Sequence, residues 1–386
     1  MVAKKMNIGT MNILIAHIHS SKYSETFIHD LIVDLNKKAN RLIEIFGGNF
    51  PTYYRSPGSS TESNFITKKT ILYDKLLSLI YSKEVNFFKK YKLKKLLKKF
   101  KIDFVVAEYG PVGASIYQVC EELKIPFIVH FHAYDIYKKS ERNKFISHYQ
   151  NFFKTAKGII SVSEDLTDTL VKYGCQREKI LLNPCGVDIN YFSGLRPEKT
   201  KEQFVFVGRL VMKKAPHLLV LSFAKVVEKH PSARLIIIGD ADNSDLFIVT
   251  KDIIYSLGLE DKIELAGSKG RDEVKRIMLE SRALVQHYVT APDGDKEGSP
   301  VVVIEASSLE LPVISTRHTG VKNSVIHGET GFLVDEKDVN DMANYMCKLI
   351  EDPELAMIMG RKGRKHIEDN YTQEKYIGNI INLIES

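Results

Sequence analysis

The chain has 386 residues, 44% of them hydrophobic and 27% charged, with a formal net charge of +7. That size and apolar share suit two cored domains and exclude a disordered or low-complexity protein. No apolar run approaches about 18 residues, so no spanning helix is expected, and the first residues lack the apolar core of a secretory signal.

Residues 1–10 read as a loose leader, and a strand-like run opens at Ile13. Short β-branched runs recur at 104–107, 127–130 and 159–162, with helical patterns at 26–39, at 113–123 and behind Ser163. In the second half, runs at 204–208, 234–239, 263–267, 283–286 and 312–316 have room for helices between them. Near-continuous apolar strands alternating with helices predict an α/β protein with parallel sheets covered on both faces. Two such series predict two doubly wound, Rossmann-like domains. Residues 191–203 have little apolar periodicity and mark the expected boundary. The expected domains are 1–195 and 196–370, followed by a final helix within 371–386. Charge divides along the same line. Residues 1–190 hold 29 Lys and Arg against 18 Asp and Glu, net +11, and residues 191–386 hold 26 against 30, net −4. Two domains with different partners follow from that asymmetry. Four scattered cysteines show no metal spacing and fit separate thiols in a reducing cytoplasm.

Several segments could carry chemistry. After the first strand comes a loop containing Ser24-Glu25, where Ser24 could cap the helix that follows. Residues 83–101 hold nine lysines and one acidic residue, Glu84. Leu93, Leu96, Leu97 and Phe100 share one face of that segment if it is helical. It could lie on an anionic membrane surface, or it could pack its stripe on the sheet with the lysines in water. His132 and Asp135, in His130-Phe-His132-Ala-Tyr-Asp135, follow a strand and could bind a sugar hydroxyl or relay a proton. His130 reads as a core residue. His-x-His invites zinc, but no third ligand stands at a suggestive spacing, so no metal is expected. The second half opens with Gly208-Arg209 and Lys213-Lys214 in a loop before a helix, a cationic set suited to a diphosphate. Gly267-Ser268 ends a later strand.

The densest stretch is Glu297-Gly298-Ser299-Pro300-Val301, running on to Glu305. Ser299 suits an N-cap and Pro300 the first helical position. A buried apolar helix beginning there offers unpaired N–H groups and a positive dipole end to phosphate. Flanking carboxylates suit a ligand that is also a sugar.

This stretch, with Pro312-Val313, His318-Thr319-Gly320 and Gly328-Glu329-Thr330-Gly331, resembles the donor site of retaining family 4 glycosyltransferases of the GT-B fold, nearest in motif to exopolysaccharide and colanic-acid types. The resemblance spans roughly fifty residues. Ser24-Glu25, where many members have glycines, and Asn323, where they usually have glutamate, depart from the pattern. The resemblance implies two domains facing across a cleft, an N-terminal one for the acceptor and a C-terminal one for the nucleotide sugar, with the last helix crossing back to the first domain. It implies that Arg209 and Lys214 hold the donor diphosphate of a UDP- or GDP-sugar, that Glu297 serves the sugar and Glu305 the ribose, and that Gly267 and Ser268 lie near the base. Gly298, Ser299, Pro300 and Val301 would complete the donor site. His132 would assist from the first domain, with Ser24, Glu25 and Asp135 on the acceptor side. The implied activity is retaining, metal-independent hexosyl transfer to a saccharide or polyprenyl-linked acceptor, in the cytoplasm or at the inner membrane face, with no nucleic acid partner. A sugar-nucleotide epimerase, a phosphorylase and a non-catalytic nucleotide-binding subunit remain as alternatives.

Overall fold

The computed structural model describes residues 7–19, 26–59, 61–81, 86–197, 200–240 and 245–386. Ser24, Glu25, Lys83 and Glu84 lie outside them. The chain forms two compact units: residues 1–162, 166–183 and 377–386, and residues 163–165 with 184–376.

The first unit holds strands β1 (Asn12–Ala16), β2 (Arg41–Phe46), β3 (Tyr53–Arg55), β4 (Ser63–Asn64), β5 (Phe104–Glu108), β6 (Phe127–Phe131), β7 (Gly158–Ser161) and β8 (Ile180–Leu182). Their order is β4-β3-β2-β1-β5-β6-β7-β8. Pairing is parallel except at β2–β3 and β3–β4. The parallel strands are buried almost throughout, which explains their unbroken apolar runs. Strand order reverses between β1 and β5, and the carboxyl ends beside such a reversal are where open α/β sheets place ligands. The last helix, Gln373–Glu385, contributes to this unit: Lys157 Nζ donates to Ile384 O (3.0 Å), and Ile8 N to Glu385 Oε1 (3.0 Å).

The second unit holds β9 (Gln203–Val207), β10 (Arg234–Ile238), β11 (Ile263–Gly267), β12 (Ala283–Gln286), β13 (Val313–Thr316) and β14 (Gly331–Val334), in the order β11-β10-β9-β12-β13-β14. Every pairing is parallel. Strand alternation sends Phe204 and Phe206 into one core and Val205 into the other, so helices cover both faces. The order reverses between β9 and β12. The irregular stretch after Asn190 belongs to this unit, with Phe192 buried in its core.

One local expectation is corrected. The helix after Glu297 spans Val301–Ser308; Pro300 is its cap, with extended backbone, and no side chain caps it. Ser299 is therefore not the N-cap and Pro300 not the first helical residue. The chain is anchored just upstream, where Gly298 O accepts from Gly320 N (3.1 Å), and the first turn closes through Val303 N to Pro300 O (3.0 Å). The lysine-rich helix spans Phe87–Lys99 and buries Leu93, Leu96 and Leu97 in the first unit. The core thus takes its leucine stripe, while Phe87, Tyr91 and several of the lysines stay exposed. Among the described residues no helix is long and apolar enough to cross a membrane.

Candidate active site

In the second unit the site grows from the carboxyl end of β9. Gly208 continues the sheet through its N–H to Ile238 O (2.9 Å), and Gly239 through its N–H to Gly267 O (2.9 Å). A Cβ on Gly239 would stand 1.9 Å from Gly208 O, so only glycine allows these strand ends to close up. A 3₁₀ turn, Met212–Lys214, follows, and Ala215 takes a left-handed φ of 38° before helix Pro216–Lys229. That strained turn sends two lysines inward. Lys213 Nζ donates to Asp295 Oδ1 and Lys296 O, both at 3.2 Å, and so ties down the loop leading to Glu297. Lys214 Nζ lies 2.9 Å from Glu297 Oε2 and 4.9 Å from the centre of the Tyr288 ring.

Burial alone would raise the Glu297 pKa, but the charges of Lys214 and Lys213 override it and hold it at about 2. Burial lowers the Lys214 pKa, and Glu297 opposes that shift. Glu297 is therefore an ionised carboxylate at neutral pH. Its backbone is clamped by the segment after β13. Glu297 N donates to His318 Nε2 (3.1 Å), and the other ring nitrogen, Nδ1, lies 2.6 Å from Glu336 Oε1. With Nε2 accepting, Nδ1 carries the proton. Thr319 Oγ1 donates to Glu297 O, and a Cβ on Gly320 would stand 2.1 Å from Gly298 O.

Arg209 is exposed and has no ion pair among the described residues, though its charge helps lower the Lys214 pKa. Glu305 lies four residues past Val301, about 6 Å along the helix axis. It is half-buried and close enough to Tyr191 to help raise that phenol's pKa, after burial and Asp272. Gly267 and Ser268 are exposed at the end of edge strand β11, joined to β9 through Gly239.

The first unit gathers a second group at the ends of β5 and β6. Glu108 and His130 are register partners, and alternation puts His132 on the same face as His130. His132 Nε2 is 2.6 Å and His130 Nδ1 3.2 Å from Glu108 Oε2. Glu108 Oε1 is buried with no hydrogen bond among the described residues. Burial and then His130 lower the His132 pKa to about 4, against Glu108, so the ring is neutral at pH 7. Burial opposes ionisation of Glu108, but the imidazoles hold its carboxyl well below the usual range. A neutral His132 bonded to a carboxylate donates from Nε2, which makes Nδ1 an acceptor. Phe27 and Tyr109 flank the ring, each 4.7 Å away between centroids. Glu108, His130 and His132 each offer a ligand atom within 4.8 Å of the others, a donor set zinc can use. Two of those atoms already meet in a hydrogen bond.

Residues 188–366 match the family described as glycosyl transferases group 1, and residues 51–191 match glycosyltransferase family 4. The chain is a family 4, group 1 glycosyltransferase. This glycosyltransferase is 29% identical over 294 residues to the putative colanic acid biosynthesis glycosyltransferase WcaL of Escherichia coli, covering 74% of this chain and 71% of that one. It is 26% identical over 294 residues to the amylovoran biosynthesis glycosyltransferase AmsK of Erwinia amylovora, covering 75% and 71%. HepE from Anabaena, solved in complex with UDP and glucose, matches with a TM-score of 0.75 at 18% identity over 97% of this chain and 99% of that one. Sucrose-phosphate synthase from Thermosynechococcus elongatus matches at 0.75 and 16%, over 97% and 98%. The fold of this glycosyltransferase is GT-B.

Of the residues singled out in the glycosyltransferase sequence, the structure joins Lys214 to Glu297 directly, with Gly298 to Val301 following in the chain. It links Arg209 to Lys214 by charge and places Gly267 and Ser268 exposed at the end of β11. Asp135 is fully buried, accepting from Gly110 N (2.9 Å) and His132 N (3.2 Å). It fastens the loops after β5 and β6. His130 is not an isolated core histidine, and Glu108 is the third group that its spacing concealed. The signal available was a carboxylate ending an apolar strand, Phe104-Val-Val-Ala-Glu108.

Proposed function

We propose that this enzyme moves a sugar from a nucleotide-diphosphate sugar to a saccharide or polyprenyl-linked acceptor in polysaccharide synthesis, with retention and without a metal. The observation that carries the reading is the Lys214–Glu297 pair, 2.9 Å apart beside the β9/β12 reversal and just ahead of an uncapped helix start. Charge develops on the departing diphosphate. Lys214, Arg209 and the first N–H groups of helix Val301–Ser308 would stabilise it, a preorganised electrostatic effect. Glu297, already ionised, would accept from sugar hydroxyls and favour positive charge at the anomeric carbon. We assign Glu305 to the ribose hydroxyls, Gly267 and Ser268 to the base, and His132 Nδ1 to a hydroxyl of the sugar or acceptor. The reading gains support from WcaL and AmsK, whose names place them in colanic acid and amylovoran biosynthesis, and from HepE, solved with UDP-glucose as well as UDP. Uridine is therefore the first base to test.

The test is a thermal-shift panel of UDP, GDP, ADP and their sugars on the wild type and Glu305→Ala. One nucleotide at about 100 times its Kd should stabilise the wild type by about 2.7 kcal/mol, and the variant by much less. If no nucleotide shifts the melt, with or without saccharide and lipid added, the donor-site assignment is wrong.

A further inference from the structure

Helix Lys68–Tyr81 of the first unit is folded inside out. Its buried positions are polar: Thr70 is 5% exposed and Asp74 2%. The Asp74 carboxylate accepts from Phe88 N (2.9 Å) and Lys89 N (3.1 Å), capping the start of helix Phe87–Lys99. That bond fixes which side of the helix faces inward. Its outward side carries Leu72, Leu76, Leu79 and Ile80, which are 55%, 47%, 78% and 72% exposed. Their i, i+4, i+7, i+8 spacing is the apolar stripe that a surface helix normally buries. Phe87 and Tyr91, at the start of the next helix, add aromatic surface at 63% and 49% exposure. An apolar face of this kind, rimmed by charge, marks an interaction surface.

The rim decides the partner. Residues 68–101 hold twelve lysines and two acidic residues, and one of those two, Asp74, is buried in its capping bond. Lys68, Lys69 and Lys75 on the first helix and Lys92, Lys95 and Lys98 on the second are exposed. A second copy docking here by two-fold symmetry would set this cationic surface against itself, which like-charge repulsion opposes. An anionic bilayer offers head-group phosphates to the lysines and acyl chains to the leucines at once.

We propose that this face docks on an anionic lipid surface, with Leu79, Ile80 and Phe87 entering the head-group boundary and the lysines held at phosphate level. The lysine-rich helix is then the electrostatic half of the contact, and the helix before it supplies the apolar half. This carries the lipid-linked-acceptor reading further but stands on this face alone, so its failure would leave the donor site untouched.

The experiment is co-sedimentation of the full chain with vesicles of phosphatidylglycerol and phosphatidylcholine, or phosphatidylcholine alone. The wild type should pellet with the anionic vesicles at low salt. The double variant Leu79→Ser/Ile80→Ser should bind them at least about tenfold more weakly. Lys92→Gln/Lys95→Gln/Lys98→Gln should lose the preference for anionic lipid. Unchanged melting temperatures in both variants would show that the fold is intact, since all five side chains are exposed. The proposal is overturned if the leucine variant binds like wild type. It is equally overturned if the wild type ignores both vesicles, or if light scattering finds a dimer that Leu79→Ser/Ile80→Ser splits while vesicles pellet nothing.

Discussion

Each unit buries a carboxylate at the working end of its sheet, and the two are kept in opposite company. Glu297 faces two lysines, whose charges outweigh its burial. Glu108 faces two imidazoles, one of them pushed down to about 4 and so neutral at pH 7. The first arrangement holds fixed opposite charges, suited to a ligand that is itself charged. The second orients one neutral ring, suited to reading a hydroxyl. The difference shows that burial alone does not set a carboxylate's role; the partner brought to it does.

The largest expected effect breaks the charged side of that comparison. Lys214→Ala leaves the largely buried Glu297 without its nearest cation, though Lys213 remains, and should cost at most about 3–5 kcal/mol in chemical denaturation. Turnover should fall about 100- to 1000-fold, as for the loss of one charge-stabilising donor. Lys214→Met with Glu297→Gln should recover stability but not transfer. Recovery of both would mean that the pair is only structural.

Glu108→Gln tests the neutral side. The shape survives but the charge does not, so the charge-assisted bond to His132 weakens and turnover should fall about 10- to 100-fold. Full activity in this variant would reduce the dyad to packing. Zinc restoring activity after chelation would instead identify the Glu108–His130–His132 group as a metal site.

A pH experiment sharpens the contrast within the first unit. Burial raises the Asp135 pKa from 3.8 to about 6 and lowers that of His132 from 6.5 to about 4. The folded state binds a proton more tightly than the unfolded at Asp135, so that contribution is present below pH 3.8 and lost as pH rises to about 6. His132 does the reverse: its contribution is present above pH 6.5 and lost as pH falls to about 4. The two slopes oppose each other in the wild type. Asp135→Asn removes one of them, so the melting temperature of the variant should climb more steeply between pH 4 and 6.5. An unchanged slope would contradict the Asp135 shift.

The smallest effect on stability belongs to Arg209→Gln. The side chain is exposed, so stability should stay within about 0.5 kcal/mol while nucleotide affinity falls about tenfold. A loss of stability without a loss of affinity would reverse its assignment.

Much of this was legible in the chain. Runs such as Phe204-Val-Phe-Val, alternating with helical patterns, point to buried parallel strands, and Glu297-Gly-Ser-Pro marks a loop entering a helix. The cap falls one residue later than residue type suggests, at Pro300, where Gly320, 22 positions downstream of Gly298, anchors the chain as it enters that helix. The role of Glu108 is not legible in the sequence because its partner His132 is 24 residues away, and only the parallel register of β5 and β6 brings them together. The leucines of the lysine-rich helix and those of the helix before it look alike in sequence. One set is buried and the other exposed because Asp74 turns its helix to cap the next.

The sequence by itself determined which chemistry was available: cations after β9, a carboxylate on either side of a helix start, histidines at a strand end, and strand–helix alternation in two series. Periodicity and residue type are local properties, and local physics suffices to read them. Only the tertiary structure decided the pairings, that Lys214 meets Glu297, that His318 and Glu336 hold Glu297 in place, and that Glu108 meets His132. Those contacts depend on sheet register and on burial, which couple residues far apart in the chain and set the protonation state of each group.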